Sequence, residues 1–314
     1  MHKLLYLLDS ADISEASLPD APEGFVRSVL LPDASAQERI AEISEAEVIF
    51  GEPTLQELRA AKNLRWVQMF WAGADRYQNG QFPENVLLTT ASGAFGETIA
   101  EHALAMLFAL CRRLPAYQIS SAWEDAGCEK RIGGASALIF GCGDIGSEIA
   151  KRLKALGVHT VGVCRNAKTP RPFFDALTTL SCAEAFLPEA DFVLCAMPSN
   201  RQTDGYFDET MLSALKVDAV LINVGRGRFI DTNALTKLRK AGKFFGIGLD
   251  VTDPEPLEET HPLRAFPNTI ITPHVAGVSF GHLKETEEKI FRICAENLSR
   301  YSNHEPLKNA VDLP

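Results

Sequence analysis

Through the first third of the chain, apolar residues fall into short runs at 4–8, 48–50, 64–70 and 86–88. Polar, helix-favouring stretches such as 35–45 and 54–61 separate them. Short apolar runs bounded by turn residues read as buried strands, so the alternation predicts a βαβα arrangement. Residues 97–114 are apolar-rich, lack Gly and Pro and end before Pro115, which predicts one long helix leading out of this region. Periodicity then fades over 117–134, which closes in Gly133-Gly134 and is expected to be an irregular crossing segment. From residue 135 the pattern restarts, with strands expected at 136–140, 160–163, 192–196, 219–223, 246–249 and 269–271, and a last helix at 280–301. Near-continuous apolar strands alternating with helices fit parallel sheets covered on both faces. The expected fold class is α/β, with two doubly wound parallel-sheet domains.

Length and composition sharpen this picture at a few points. A chain of 314 residues exceeds one average core and accommodates two. The net charge of −10 opposes the phosphate backbone of a nucleic acid, so anionic ligands need a local pocket and nucleic-acid partners are not expected. No run approaches the roughly 20 apolar residues of a membrane span, and the opening segment turns acidic at Asp9, unlike a signal peptide. A cytoplasmic location without membrane association is the expectation. The seven cysteines are odd in number and form no C-x-x-C pair, so they read as reduced core thiols. No zinc spacing or H-E-x-x-H occurs, and no metal site is expected.

The sharpest motif is Gly141-Cys142-Gly143-Asp144-Ile145-Gly146, which follows the apolar run 137–140 and opens a helical pattern. The first glycine permits a tight turn, the second lets backbone approach a pyrophosphate, and the third allows close helix–strand packing. The helix N-terminus adds free N–H groups and partial positive charge. NAD-selective sites place an acidic residue roughly 20 positions later. Here Cys164-Arg165 stands there, followed by Asn166, Lys168 and Arg171. With no carboxylate to repel a 2′-phosphate and a guanidinium to bind it, NADPH/NADP is expected over NADH, which remains a weaker cofactor.

Three further segments each follow an expected strand, where open α/β sheets hold their ligands. Asn223-Val224-Gly225-Arg226-Gly227 offers a permanent cation, the segment 250–256 offers Asp250, Asp253 and Glu255, and Thr272-Pro273-His274-Val275-Ala276-Gly277 offers an imidazole. Together they can hold a carboxylate, polarise a carbonyl and donate a proton.

These four motifs, in this order and spacing, resemble the D-isomer-specific 2-hydroxyacid dehydrogenase family, which includes glyoxylate/hydroxypyruvate reductases; the likeness covers nearly the whole chain. It implies a Rossmann dinucleotide-binding domain, 96–283, inserted in a flavodoxin-like substrate domain, 1–95 plus 284–314. It also implies NADPH-dependent reduction of a 2-keto acid to the D-2-hydroxy acid, with Arg226 binding substrate, His274 as acid/base and Glu255 pairing with His274 to raise its pKa. Gly141, Gly143, Asp144, Ile145, Gly146, Arg165, Lys168, Met197, Pro198, Thr203, Val224, Gly225, Arg226, Asp250, His274 and Gly277 form the implied cofactor site, with Asp250 on the nicotinamide carboxamide. A substrate loop, Trp71-Ala72-Gly73-Ala74, is implied to face the substrate carboxylate, alongside Arg226 and His274. A homodimer is inherited from the same likeness. His102 reads as a packed or interfacial residue. The alternatives are an NAD-linked D-2-hydroxyacid or phosphoglycerate-type dehydrogenase, and a nucleotide-sensing, corepressor-like binding protein. Which 2-keto acid is reduced does not follow from the residues.

Overall fold

A computed structural model of the protein describes residues 2–10, 12–78, 80–121, 123–278 and 280–312. Ala122, in the expected crossing segment, and residues 313–314, at the end of the expected substrate domain, lie outside the described residues. The chain divides into two units, Met1–Phe95 with Val278–Pro314, and Gly96–Gly277.

The first unit begins β1 (His2–Leu7), β2 (Phe25–Leu30), α1 (Ala36–Glu45), β3 (Val48–Phe50), α2 (Leu55–Ala60), β4 (Trp66–Gln68) and β5 (Leu87–Thr89). Its five strands are all parallel in the order β2-β1-β3-β4-β5. β3 and β4 are buried at every residue, as strands with neighbours on both sides and cover on both faces must be. Both helices start at capping boxes: the Ser35 hydroxyl accepts the Glu38 N–H while the Glu38 carboxylate accepts the Ser35 N–H, and Thr54 and Glu57 repeat the exchange.

The second unit runs α3 (Gly96–Cys111), α4 (Leu114–Ile119), β6 (Ser136–Phe140), α5 (Asp144–Ala155), β7 (His159–Val163), β8 (Ala176–Thr178), β9 (Phe192–Cys195), α6 (Glu209–Ala214), β10 (Val220–Asn223), α7 (Thr232–Lys240), β11 (Gly246–Leu249) and β12 (Thr269–Ile271). Its seven parallel strands are ordered β12-β11-β10-β9-β6-β7-β8. The winding direction reverses between β6 and β9, and the crevice at such a switch point is where doubly wound sheets bind ligands. Two apolar clusters cover the sheet, one around Phe140, Phe207 and Phe229, the other formed by α3 and α5 against Ile139, Leu194 and Ile222.

The chain returns to the first unit in α8 (Lys284–Ser302). A buried polar chain ties this helix to the sheet. Asn297 donates to Gln68 Oε1 at 2.8 Å, Thr89 donates to the same oxygen at 2.7 Å, and Trp66 donates to Thr89 Oγ1 at 2.8 Å. Each buried polar group thereby finds a partner, as burial requires.

The two doubly wound parallel sheets agree with the expected fold class, and the details differ in four places. The apolar pattern does not predict β2 and β8, edge strands whose partly exposed faces break the apolar run, as Arg27 and Ser28 do in β2. The long helix stops at Cys111, and Pro115 opens a second helix rather than following the first, an N-terminal placement in which its missing N–H costs nothing. The last helix starts at Lys284, four residues late. All seven cysteines are free and five are buried, but Cys128 and Cys182 are exposed, so they are not core thiols. No helix among the described residues is long and apolar enough to cross a membrane.

Candidate active site

Each motif lies just beyond the C-terminal end of a strand of the second unit. After β6, Gly141 takes φ +102°, and a Cβ there would sit 2.7 Å from the Ala196 carbonyl oxygen, in the loop after β9. The two loops flanking the switch point therefore meet backbone to backbone. A Cβ on Gly146 would lie 1.7 Å from the Gly141 carbonyl oxygen, which explains the third glycine. Gly143 caps α5 without a side-chain acceptor, and a Cβ there would meet nothing within 4 Å. A helix start without a side-chain cap, beside open space, suits a pyrophosphate, so these residues fit a dinucleotide.

Arg165 and Lys168 are exposed beyond β7. The Asn166 side chain accepts the Lys168 N–H at 3.0 Å and shapes the turn, while Arg171 donates to the Cys142 carbonyl at 2.8 Å and ties this loop to the glycine loop. Burial pushes the Cys142 thiol up to about 12, so it stays protonated. Met197 and Pro198 follow β9, and the buried Thr203 hydroxyl donates to the Pro198 carbonyl at 2.7 Å, which organises that loop.

After β10, Asn223 is buried and braces the turn from both sides. Its amide donates to the Arg226 carbonyl at 2.9 Å and its Oδ1 accepts the Gly225 N–H at 3.0 Å. A Cβ on Gly225 would fall 2.7 Å from the Met197 carbonyl oxygen, and one on Gly227 1.9 Å from that of Thr252. Val224 is buried, and the half-buried Arg226 guanidinium donates to the Gly225 carbonyl at 2.7 Å.

Asp250, 2% exposed after β11, accepts three donors. The Thr272 hydroxyl (2.6 Å) and the Val275 N–H (2.9 Å) converge on Oδ1, and the Ala276 N–H (3.0 Å) on Oδ2. The Asp250 carbonyl accepts the His274 N–H at 2.8 Å. Between these fixed points His274 is held at φ +55°, a left-handed conformation that a non-glycine residue seldom adopts without support. Its Nδ1 meets Glu255 Oε1 at 2.6 Å, and both side chains remain nearly half exposed. A pocket of about 450 Å³ opens at the pair, bounded also by Thr252, Leu257 and Arg264. His102 of α3 reaches Thr272 Oγ1 at 3.1 Å, so it belongs to the same network. Gly277 ends the segment, half-buried.

The second unit thus brings Glu255 to His274 and fastens the His274 segment to Asp250. Asn223 and Thr272 act as braces that the motifs contain but do not single out: Asn223 shapes its own turn, and Thr272 reaches the Asp250 carboxylate 22 residues back.

Trp71–Ala74 belongs to the first unit. Trp71 is 36% exposed, stacks on Phe95 at 6.0 Å and meets Phe280 edge-on at 5.8 Å. Ala74 is buried, Ala72 exposed and Gly73 intermediate; among the described residues nothing accepts from the N–H of Ala72 or Gly73.

Residues 104–276 match the family model of the D-isomer specific 2-hydroxyacid dehydrogenase NAD binding domain. The chain is 36% identical to an uncharacterized protein of Streptomyces coelicolor over 80% of its own length and 90% of the relative's. It is 29% identical to glyoxylate reductase of Korarchaeum cryptofilum over 88% of its length and 84% of that protein's. A D-isomer specific 2-hydroxyacid dehydrogenase family protein from Aeromonas salmonicida has a similar crystal structure, with a TM-score of 0.86, 29% identity and 99% of each chain covered. The chain belongs to the D-isomer specific 2-hydroxyacid dehydrogenases, a family of nicotinamide-dependent oxidoreductases.

Proposed function

We propose that this protein reduces a 2-keto acid of the glyoxylate and hydroxypyruvate class to the D-2-hydroxy acid, using NADPH. The observation that carries the reading is the 2.6 Å pair of Glu255 and His274 at the ends of adjacent strands. With Nδ1 held by the carboxylate, the ring's orientation is set and Nε2 is left to donate a proton to the substrate carbonyl oxygen. Arg226 holds the substrate carboxylate and stabilises negative charge on the carbonyl oxygen. In the first unit, the N–H groups of Ala72 and Gly73 are donors suited to a carboxylate. Gly141–Gly146 and the start of α5 cradle the pyrophosphate, Met197, Pro198, Thr203, Val224, Gly225 and Gly277 line the nucleotide site, and the bound reduced nicotinamide supplies the hydride.

Preference for the phosphorylated cofactor is supported by Arg165 and Lys168, exposed where an acidic residue would otherwise select NAD. The likeness to glyoxylate reductases supports the substrate class. Initial rates with NADPH and with NADH, each against glyoxylate, hydroxypyruvate, pyruvate and phenylpyruvate, test both parts. We expect kcat/KM to favour NADPH at least about tenfold and the small acids over phenylpyruvate. Equal or better rates with NADH would overturn the cofactor assignment, and no turnover with any pair would overturn the reaction. A homodimer is supported by exposed Phe108, Leu114, Tyr117 and Trp123 on α3, α4 and the following segment. Light scattering that finds a monomer at micromolar concentration would refute it.

A further inference from the structure

Gly51 turns the chain past the end of β1 at φ +129°, where a Cβ would lie 2.3 Å from the Leu7 carbonyl oxygen. The turn delivers Glu52 into the interior, 3% exposed. One carboxyl oxygen accepts two consecutive backbone N–H groups, Phe70 at 2.8 Å and Trp71 at 3.2 Å. These are the residues that lead into Ala72 and Gly73. Further bonds hold the same two segments together: the Tyr77 hydroxyl donates to the Pro53 carbonyl at 2.7 Å, and Arg76 donates to the Glu52 carbonyl at 3.4 Å. The Trp71 carbonyl accepts from Ala91 at 3.0 Å.

A carboxyl group is a costly choice for a buried position unless its hydrogen bonds matter, since an apolar side chain fills the same space without desolvating a charge. Asp9, Arg76, Tyr77 and Cys294 face Glu52 from the neighbouring elements. Burial, followed by the Asp9 charge, outweighs the two amides and Arg76 and raises the carboxyl to about 7. At neutral pH the group therefore divides between a neutral acceptor and a charged one, and hydrogen bonds to the charged form are roughly twice as strong.

We propose that Glu52 is a positioning residue for the 2-keto acid: through the Phe70 and Trp71 amides it sets where the Ala72 and Gly73 N–H groups meet the substrate carboxylate. The inference rests on the reading of Trp71–Ala74 as the substrate loop. The test measures kcat and KM for glyoxylate with NADPH between pH 5.5 and 8.5 (roughly spanning the carboxyl's titration) in the full-length wild type, Glu52→Gln and Glu52→Ala. Amide hydrogen exchange across residues 70–74 and the NADPH Kd accompany it. Gln keeps an acceptor without the charge, so Glu52→Gln is expected to hold KM within about threefold and to lose the step in KM near pH 7 expected of the wild type. Glu52→Ala leaves the buried Phe70 donor and the part-buried Trp71 donor unpaired and is expected to raise KM about 10- to 100-fold, with kcat changed less than about fivefold, the NADPH Kd unchanged and exchange at 70–74 accelerated. A folded Glu52→Ala enzyme with wild-type KM and protected amides overturns the proposal. If that variant does not fold, Glu52→Gln decides, and a Gln enzyme that keeps the wild-type step overturns it. Failure of the wild type to reduce any 2-keto acid would refute the proposed reaction instead, while the exchange data would still decide the role of Glu52.

Discussion

Replacing Asp250 by Asn keeps the shape of the side chain and removes one acceptor, which makes it a clean probe of how His274 is aimed. Every neighbour of the carboxylate is a donor: the Thr272 hydroxyl and Val275 N–H on one oxygen, the Ala276 N–H on the other. Whichever way the amide is turned, its NH₂ faces a backbone N–H, so one of these donors loses its acceptor in a site 2% exposed. A buried donor left unpaired costs about 1–3 kcal/mol, and the surviving bonds lose their charge assistance. His274 also sits at φ +55°, a conformation that costs about 1–2 kcal/mol unless its surroundings enforce it. Relaxation of His274 would return that strain rather than add to the loss, so the loss that falls on the segment is the unpaired donor's, about 1–3 kcal/mol. At about 1.4 kcal/mol per decade, kcat should drop roughly 5- to 150-fold. The same energy should lower the melting temperature by about 2–12 °C for a unit of this size. Steady-state rates, thermal melting and NADPH titration on one preparation provide the three numbers. A kcat within threefold of wild type and an unchanged melting temperature would refute the bracing role. A weakened NADPH Kd with kcat preserved would assign Asp250 to the nicotinamide carboxamide instead.

His274→Ala should lower kcat by about 10²- to 10⁴-fold, the usual worth of a general acid, with the NADPH Kd within about threefold; retained activity would remove His274 from the chemistry. Arg165→Ala should raise the KM for NADPH about 10- to 100-fold, the value of a charge-assisted bond, and leave that for NADH nearly unchanged; equal effects on both cofactors would place the guanidinium elsewhere. Glu52 predicts a pH dependence of stability. Its folded pKa, about 7, lies above the ordinary 4.5, so between these values the folded state keeps a proton that the unfolded state has released. Stability should therefore fall as pH rises from about 4.5 to about 7 and then level off. Denaturant midpoints against pH should show this fall in the wild type and lose part of it in Glu52→Gln; identical curves would exclude Glu52 as the source.

The parts of this site that are legible in the sequence are those in which local chemistry and steric need coincide. Gly146 is readable because a Cβ there would overlap the loop that the motif itself builds, 1.7 Å from Gly141 O, so the constraint and the residues that impose it lie five positions apart. Glu255 and His274 are 19 residues apart, yet each follows a strongly apolar strand, and β11 and β12 are neighbours in the sheet. A reading that orders the strands also brings the pair together. β2 escapes because an edge strand pairs on one side only and need not be apolar along its length. Glu52 escapes for a different reason. Gly-Glu-Pro after a strand looks like an exposed turn, where an acid is ordinarily solvated. Its meaning comes from the loop after β4, 18 and 19 residues on, folding its amides onto the carboxyl. No periodicity or motif encodes that approach. A residue whose role is to hold another segment's backbone acquires its signature only from the segment it holds, and Glu52 is of that kind, whereas Asn223 braces its own turn and Thr272 holds the Asp250 carboxylate.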